Sequence, residues 1–303
     1  MTCTQRHVVV TGASSGIGRA TALRLAAAGW HVYAGVRKRD DGEALNRSAQ
    51  PGQTITPLLM DVTNAEQIGA AVESVAEHVG PAGLNALVDN AGIGVAVPME
   101  LVTLDSLRWQ LEVNVVGQVA VTQAFLPMLR QAVGRVVMIG SIGDRFTPPF
   151  GGPLAGSKAA IASIADAFRQ ELAPWGIDVV LLEPASIHTD AIDKLQRDSK
   201  NAVDEFSPDG RELYGAAYLG MVSEALKREQ KGSPADVVAE KVHSVLKMSR
   251  PRARYLVGKD AQVLANLVRF VPTSTLDALR RKIFNLPAPG SRAASPVREG
   301  VSR

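Results

Sequence analysis

The 303-residue chain is 46% hydrophobic, long and apolar enough to bury the core of one large α/β domain with additions. Its net charge is +3, but residues 251–303 carry ten Lys or Arg against three Asp or Glu, which leaves the first 250 residues at −4. That basic excess lies in a tail where only Phe270 and Phe284 are aromatic beyond Tyr255, a pattern that argues against nucleic acid as a partner.

In chain order, apolar strands alternate with amphipathic helices. Val8 to Val10 reads as a buried parallel strand, and a glycine turn carries it into a helix that begins near Ile17. Gly29 ends that helix, and residues 30–36 supply a second strand. Residues 55–60 and 84–88 read as the third and fourth strands, separated by a helix over 65–78 that Gly80-Pro81 stops. The spacing of Leu107, Leu111, Val115 and Val119 predicts one long helix over 105–130, bent in its last turn by Pro127. A fifth strand over 135–139, a helix over 158–172 and a sixth strand over 177–182 follow. This repetition predicts an α/β fold of Rossmann type, a doubly wound parallel sheet of about seven strands with helices on both faces.

After Glu183 the pattern changes. Residues 186–232 are polar, punctuated by Pro208, Gly210, Gly220 and Gly232, with short helical pieces such as 211–227. An insertion there falls at the carboxyl edge of the sheet, where ligands bind, and is read as a substrate lid. Pro234 opens a helix through Val245 and residues 255–257 form a last strand, so one domain spans residues 1–258. Two amphipathic segments, 261–271 and 275–286, make a C-terminal addition over 259–286, and residues 287–303 are expected to be disordered. The lone Cys3 forms no internal disulfide and suits a reducing, cytoplasmic setting. With no leader-like start and no run approaching ~20 apolar residues, stable membrane insertion is not expected. Arg280-Arg281-Lys282 beside the last apolar face leaves weak peripheral contact with anionic lipid open.

Residues 7–18, His-Val-Val-Val-Thr-Gly-Ala-Ser-Ser-Gly-Ile-Gly, organise the rest. Gly12, Gly16 and Gly18 permit a tight turn and close approach of a pyrophosphate, and the following helix points free N–H groups at that charge. Strand, glycine turn and helix together predict dinucleotide binding. At the end of the second strand, Val36 occupies the place of an acidic residue that would pair with both ribose hydroxyls of NAD. Arg37-Lys38-Arg39 follows, and a guanidinium fork suits a 2′-phosphate, so NADP is expected over NAD.

Further motifs are Asp61-Val62-Thr63, Asp89-Asn90-Ala91-Gly92, Asn114, Ser141, Ser157-Lys158 and Glu183-Pro184-Ala185-Ser186-Ile187-His188-Thr189. On these motifs the chain resembles the short-chain dehydrogenase/reductase family from about His7 to Val257. Its strand-two ending and long insertion resemble the retinol and 17β-hydroxysteroid dehydrogenase group. The resemblance implies that Asp61 contacts the adenine amino group, that Asn90 and Gly92 line the ribose side, and that Ile187 and Thr189 hold the nicotinamide carboxamide. Gly12, Ser14, Ser15, Gly16, Ile17, Gly18, Arg37, Val62, Ala91, Lys158 and Pro184 complete the implied cofactor set. The plainer alternatives are that Asp61 caps the next helix and that Asn90 makes an Asx turn. A small lipophilic substrate and a homodimer or homotetramer are also implied; no metal is expected.

The family's catalytic set is Asn, Ser, Tyr and Lys. Asn114, Ser141 and Lys158 match it, but the Tyr position, one helical turn before Lys158, holds Leu154, and no Tyr occurs between Tyr33 and Tyr214. Three readings stand open. In the first, an enzyme moves the proton through Ser141 with Lys158, a water held by Lys158 and Asn114, or Asp144 or His188; a positioned general acid is worth roughly 10²–10⁴-fold. In the second, a catalytically silent protein binds the cofactor as sensor or scaffold. In the third, this is a Tyr-to-Leu variant of an ordinary dehydrogenase. The reading adopted is an NADP-dependent oxidoreductase acting on a lipophilic alcohol or ketone, with the silent binder as its alternative.

Overall fold

A computed structural model of the chain describes residues 5–189 and 201–291. Its strands are β1 (Arg6–Val10), β2 (Trp30–Val36), β3 (Thr54–Leu59), β4 (Ala86–Asp89), β5 (Arg135–Ile139), β6 (Asp178–Pro184), β7 (Ile187–His188), β8 (Ser233–Pro234) and β9 (Arg254–Val257). Its helices are α1 (Gly16–Ala27), α2 (Arg39–Arg47), α3 (Ala65–Val79), α4 (Leu104–Leu111), α5 (Gly117–Ala132), α6 (Gly152–Leu172), α7 (Pro208–Gln230), α8 (Ala235–Lys247), α9 (Ala261–Phe270) and α10 (Thr273–Ile283). Seven strands form one parallel sheet in the order β3-β2-β1-β4-β5-β6-β9, and β7 pairs separately with β8. The strand order reverses between β1 and β4, so a crevice opens at their carboxyl ends.

Burial on both faces explains why the central strands are continuously apolar. Val9, Tyr33, Leu87, Met138 and Leu181 enter the core shared with α3, α5 and α6. Their neighbours Val8, Val10, Val32, Val88, Val137 and Leu182 enter the opposite core, shared with α1 and α8. A third cluster joins Phe146 to Tyr218, Met221, Val222 and Leu226 of α7 and to Phe284 beyond α10, with Leu264 and Val268 of α9 packed against it. Among the described residues, no helix is long and apolar enough to cross a membrane.

Four sequence expectations need correction. Helix α2 was not anticipated. The long helix over 105–130 is divided by a π-helical turn, Glu112–Val116, while Pro127 lies inside a continuous α5. The cause is tertiary: buried Asn114 binds the backbone of Ile93 through both halves of its carboxamide, which no periodicity displays. Helix α6 starts at Gly152 rather than residue 158, because Pro153 sits in the first turn, where its missing N–H is not needed. Finally, the helical piece read over 211–227 belongs to a longer, 23-residue helix, α7, with Ser207 accepting from Gly210 N at its start. Gly215 and Gly220 cost about 1 kcal/mol each, but burial of Tyr218, Met221, Val222 and Leu226 is worth roughly 1.5–3 kcal/mol per side chain and outweighs them. Residues 190–200 of the insertion and 292–303 of the expected disordered tail lie outside the described residues.

At the amino ends of β1 and β2, three of the five histidines gather around Tyr33. The His31 ring stacks on Tyr33 with centroids 4.4 Å apart, and the His7 and His78 rings lie 5.4 and 5.9 Å from His31. Burial, and then the charges of His7 and His78, push His31 down to about 4. The unfolded chain takes up this proton near pH 6.5 and the folded chain only near 4, so stability is fully present above 6.5 and is lost as pH falls through that window. Going from pH 7 to pH 5 should cost about 2 kcal/mol, read as a lower urea midpoint. The variant His31→Gln should flatten the dependence.

Candidate active site

The turn after β1 is shaped by what it cannot hold. Gly12 and Gly16 have φ of 62° and 52°, and a Cβ on Gly18 would fall 2.2 Å from the Gly12 carbonyl oxygen and 2.4 Å from Asn90 Nδ2. Asn90 Nδ2 donates to the Thr11 and Gly12 carbonyls at 2.9 and 3.1 Å, and Thr11 Oγ1 accepts from the Asn90 and Ala91 amides, each at 2.9 Å. The glycine turn is thereby clamped onto the end of β4. Helix α1 begins there with no acidic residue in its first turn and no side-chain cap from Ser15, so its first N–H groups are available to an anion.

A cleft of about 280 Å³ follows the turn. Gly12, Ser14, Ser15, Gly16, Ile17, Arg37, Asp61, Val62, Asn90, Ala91, Gly92 and Thr189 all line it. Of the other expected cofactor residues, Gly18 packs beneath the turn, Pro184 ends β6, Ile187 is buried in the core, and Lys158 reaches back to β5. Only Arg37 of the basic run lines the cleft; Asp40 and Asp41 fall in the first turn of α2, where carboxylates complement the helix dipole. Asp61 does not cap α3, a role that Asn64 takes by accepting from Gln67 N. Instead Asp61 Oδ1 accepts from Thr63 N and Oγ1. Trp109 and Val113, also in the wall, went unread as site residues because each fits a helix-packing pattern equally well.

The three catalytic candidates stand beside this cleft, at the ends of β4 and β5. Asn114 Oδ1 accepts from Ile93 N at 2.8 Å, and its Nδ2 donates to Ile93 O and Ser157 Oγ at 2.9 and 3.0 Å, so its carboxamide positions backbone. Ser141 Oγ accepts from Gly143 N at 3.0 Å, which leaves its own proton to donate elsewhere. Lys158 Nζ donates to Ile139 O at 2.8 Å, and desolvation lowers its ammonium to about 8. Leu154 lies one turn before Lys158 on α6, partly buried, where a Cβ on Gly94 would meet its Cδ2 at 3.6 Å. Position 154 therefore carries no titratable atom, and its neighbour Gly94 adds none.

The other proton carriers considered stand elsewhere. Asp144 faces an ion cluster, with Oδ2 3.4 Å from Arg254, and burial together with a hydrogen bond to Glu183 pushes it up to about 7. Arg145 grips Glu183 through two nitrogens, and Arg254 also reaches Asp166 at 2.5 Å. His188 is exposed on β7. Helix α7 approaches the loop after β4: Tyr218 Oη donates to Ala96 O at 2.9 Å and Tyr214 Oη to Glu100 at 2.5 Å. The Phe150 ring lies edge-on to both tyrosines, 6.0 and 6.2 Å between centroids. Phe150 thus joins both tyrosines in one aromatic cluster.

A family model described as short chain dehydrogenase matches residues 6–200. The chain is 33% identical over 302 residues to estradiol 17-beta-dehydrogenase 2 of Mus musculus, covering 97% of this chain and 78% of that protein. It is also 33% identical over 279 residues to the NADPH-dependent 3-dehydrocapnine reductase of Ornithobacterium rhinotracheale, covering 90% and 95%. A solved short-chain dehydrogenase from Streptomyces avermitilis superposes with a TM-score of 0.71 at 26% identity, covering 93% of this chain and 96% of that one. Family match, relatives and fold agree over most of the length, and this protein belongs to the short-chain dehydrogenase family.

Proposed function

We propose that the protein is an NADP-dependent oxidoreductase that interconverts a lipophilic secondary alcohol and its ketone, of steroid or retinoid type, without a phenol at the reacting centre. The observation that carries this reading is the glycine cradle with Arg37 beside it, at strand ends next to those that present Ser141 and Lys158. The space denied to a Cβ at Gly18 and the uncapped α1 terminus fit a pyrophosphate, and Arg37, in a cleft wall without a carboxylate on β2, fits a 2′-phosphate. Asp61 and Val62 would meet the adenine and Thr189 the carboxamide. When bound, the nicotinamide supplies or accepts the hydride. Ser141 would donate its hydroxyl to the substrate oxygen, and Lys158 would hold the exchangeable proton behind it. The names of the relatives favour a lipophilic substrate.

The second reading, a cofactor-binding protein without turnover, is favoured by one observation, Leu154 in place of a proton donor. Turnover with NADPH across steroid, retinoid and aliphatic ketones decides between the two.

Binding should separate the cofactors. NADPH should bind more tightly than NADH in calorimetric titration, and Arg37→Ala should weaken NADPH alone by ~1.5–3 kcal/mol, the range of a charge-assisted hydrogen bond. Equal affinities in the unaltered protein would sink the assignment.

Restoring the phenol tests the reacting centre. Leu154→Tyr places a hydroxyl one turn from Lys158, and carbonyl reduction should rise by up to ~10²–10⁴-fold with cofactor affinity nearly unchanged. Lower activity with intact folding would show that Leu154 shapes a pocket for other chemistry. In the unaltered protein, reduction should fall as pH rises through about 8, where Lys158 gives up its proton.

A further inference from the structure

The cleft has a wall that the proposed cofactor contacts do not use. Trp109 and Val113 form it, on α4 and the π-helical turn that follows. Gly117, which ends that turn, has no room for a Cβ: it would fall 2.7 Å from a Val62 methyl and 2.9 Å from the Val62 carbonyl oxygen. The turn is thus pressed onto the β3–α3 junction, beside Asp61 and Val62, at the end of the cleft assigned to the base. Trp109 stands four residues before Val113, on the same helix face.

The three tryptophans of the chain differ in their cover. Trp30 is 2% exposed, and Trp175, though half exposed, carries the Arg130 guanidinium 4.8 Å from its ring centroid. Trp109 is 45% exposed while lining the cleft, and among the described residues no ring or cation stacks on it. An indole face left open in a nucleotide-sized cleft, at the base end, matches a planar heteroaromatic ring. We propose that Trp109 is an adenine-stacking residue, which closes the base end of the dinucleotide site from the α4 side.

The inference rests on the dinucleotide reading, and the two can be tested apart. The full chain is titrated by calorimetry and tryptophan emission with NADPH, with adenosine 2′,5′-bisphosphate as the adenine half, and with reduced nicotinamide mononucleotide as the other half. Trp109→Ala should lose about 10-fold in affinity for NADPH and for the bisphosphate, the scale of one base–aromatic stack, and nothing for the mononucleotide. Trp109→Phe should keep affinity within about 3-fold, since a phenyl face also stacks, yet lose the emission change that the bisphosphate causes in the unaltered protein. Normal NADPH binding with an unchanged Trp109→Ala affinity for the bisphosphate overturns the stacking alone. An emission change that persists in Trp109→Phe, or a Trp109→Ala effect confined to oligomeric state, overturns it as well. Absence of NADPH binding by the unaltered chain overturns the dinucleotide reading and the stacking together.

Discussion

The close approach of Gly18 to Gly12 and Asn90 governs the arrangement of the site. With 2.2 Å between a hypothetical Cβ and the Gly12 oxygen, any side chain at position 18 would push α1 away from the turn, and the N–H groups that make the anion site would move with it. The contact also starts a chain of backbone ties. Asn90 holds the turn, Thr11 holds Asn90 and Ala91, Asn114 holds Ile93 two residues further on, and Ser157 joins Asn114 to the first turns of α6 through the Leu154 carbonyl. The glycine turn and the helix bearing Lys158 are thus connected through hydrogen bonds of 2.7–3.0 Å.

Which parts of this were legible in the sequence follows from the range of the interactions. The central strands were readable because burial on both faces leaves a local signature, an unbroken β-branched run, and the glycine turn because its conformational demand is met by residue type alone. The π-helical turn at Asn114 was not readable, since its cause is a hydrogen-bonded partner 21 residues away. Nor was the start of α6: Gly151, Gly152 and Pro153 punctuate a sequence, yet in space they are the favoured beginning of a helix. Of helix α7, the piece over 211–227 was legible, but its full length was not, because the third core that packs against it is formed with distant α9 and α10. Along the cleft, many residues of the spaced motifs recur, while Trp109 and Val113, which fit helix spacing equally well, carry no such motif.

The ion cluster narrows the proton question. Asp144, with its raised affinity for protons, looks in isolation like a candidate acid. Its partners say otherwise. Shared with Glu183 and set against Arg254, it ties the segment after β5 to β6, β9 and α6, where Arg254 also bonds Asp166 and the Ala162 carbonyl. Removing one member would leave a buried charge unpaired, which is costly whatever the cluster contributes in total. Its place is to hold the segment that presents Ser141, and the function proposed above would assign the proton chemistry to Ser141 and Lys158.

Leu154 then has a second consequence, for shape. Its side chain adjoins Gly94, and Met99 covers Gly152 two residues earlier in α6, so the surroundings of position 154 are apolar. A hydroxyl there would fix a substrate oxygen by direction; an alkyl group fixes only a surface. In the proposed reaction, orientation of the carbonyl would then rest on Ser141, whose Oγ is already set by Gly143 N. Under the function proposed above, such a site would select its substrate by apolar contour first and by polar contact second.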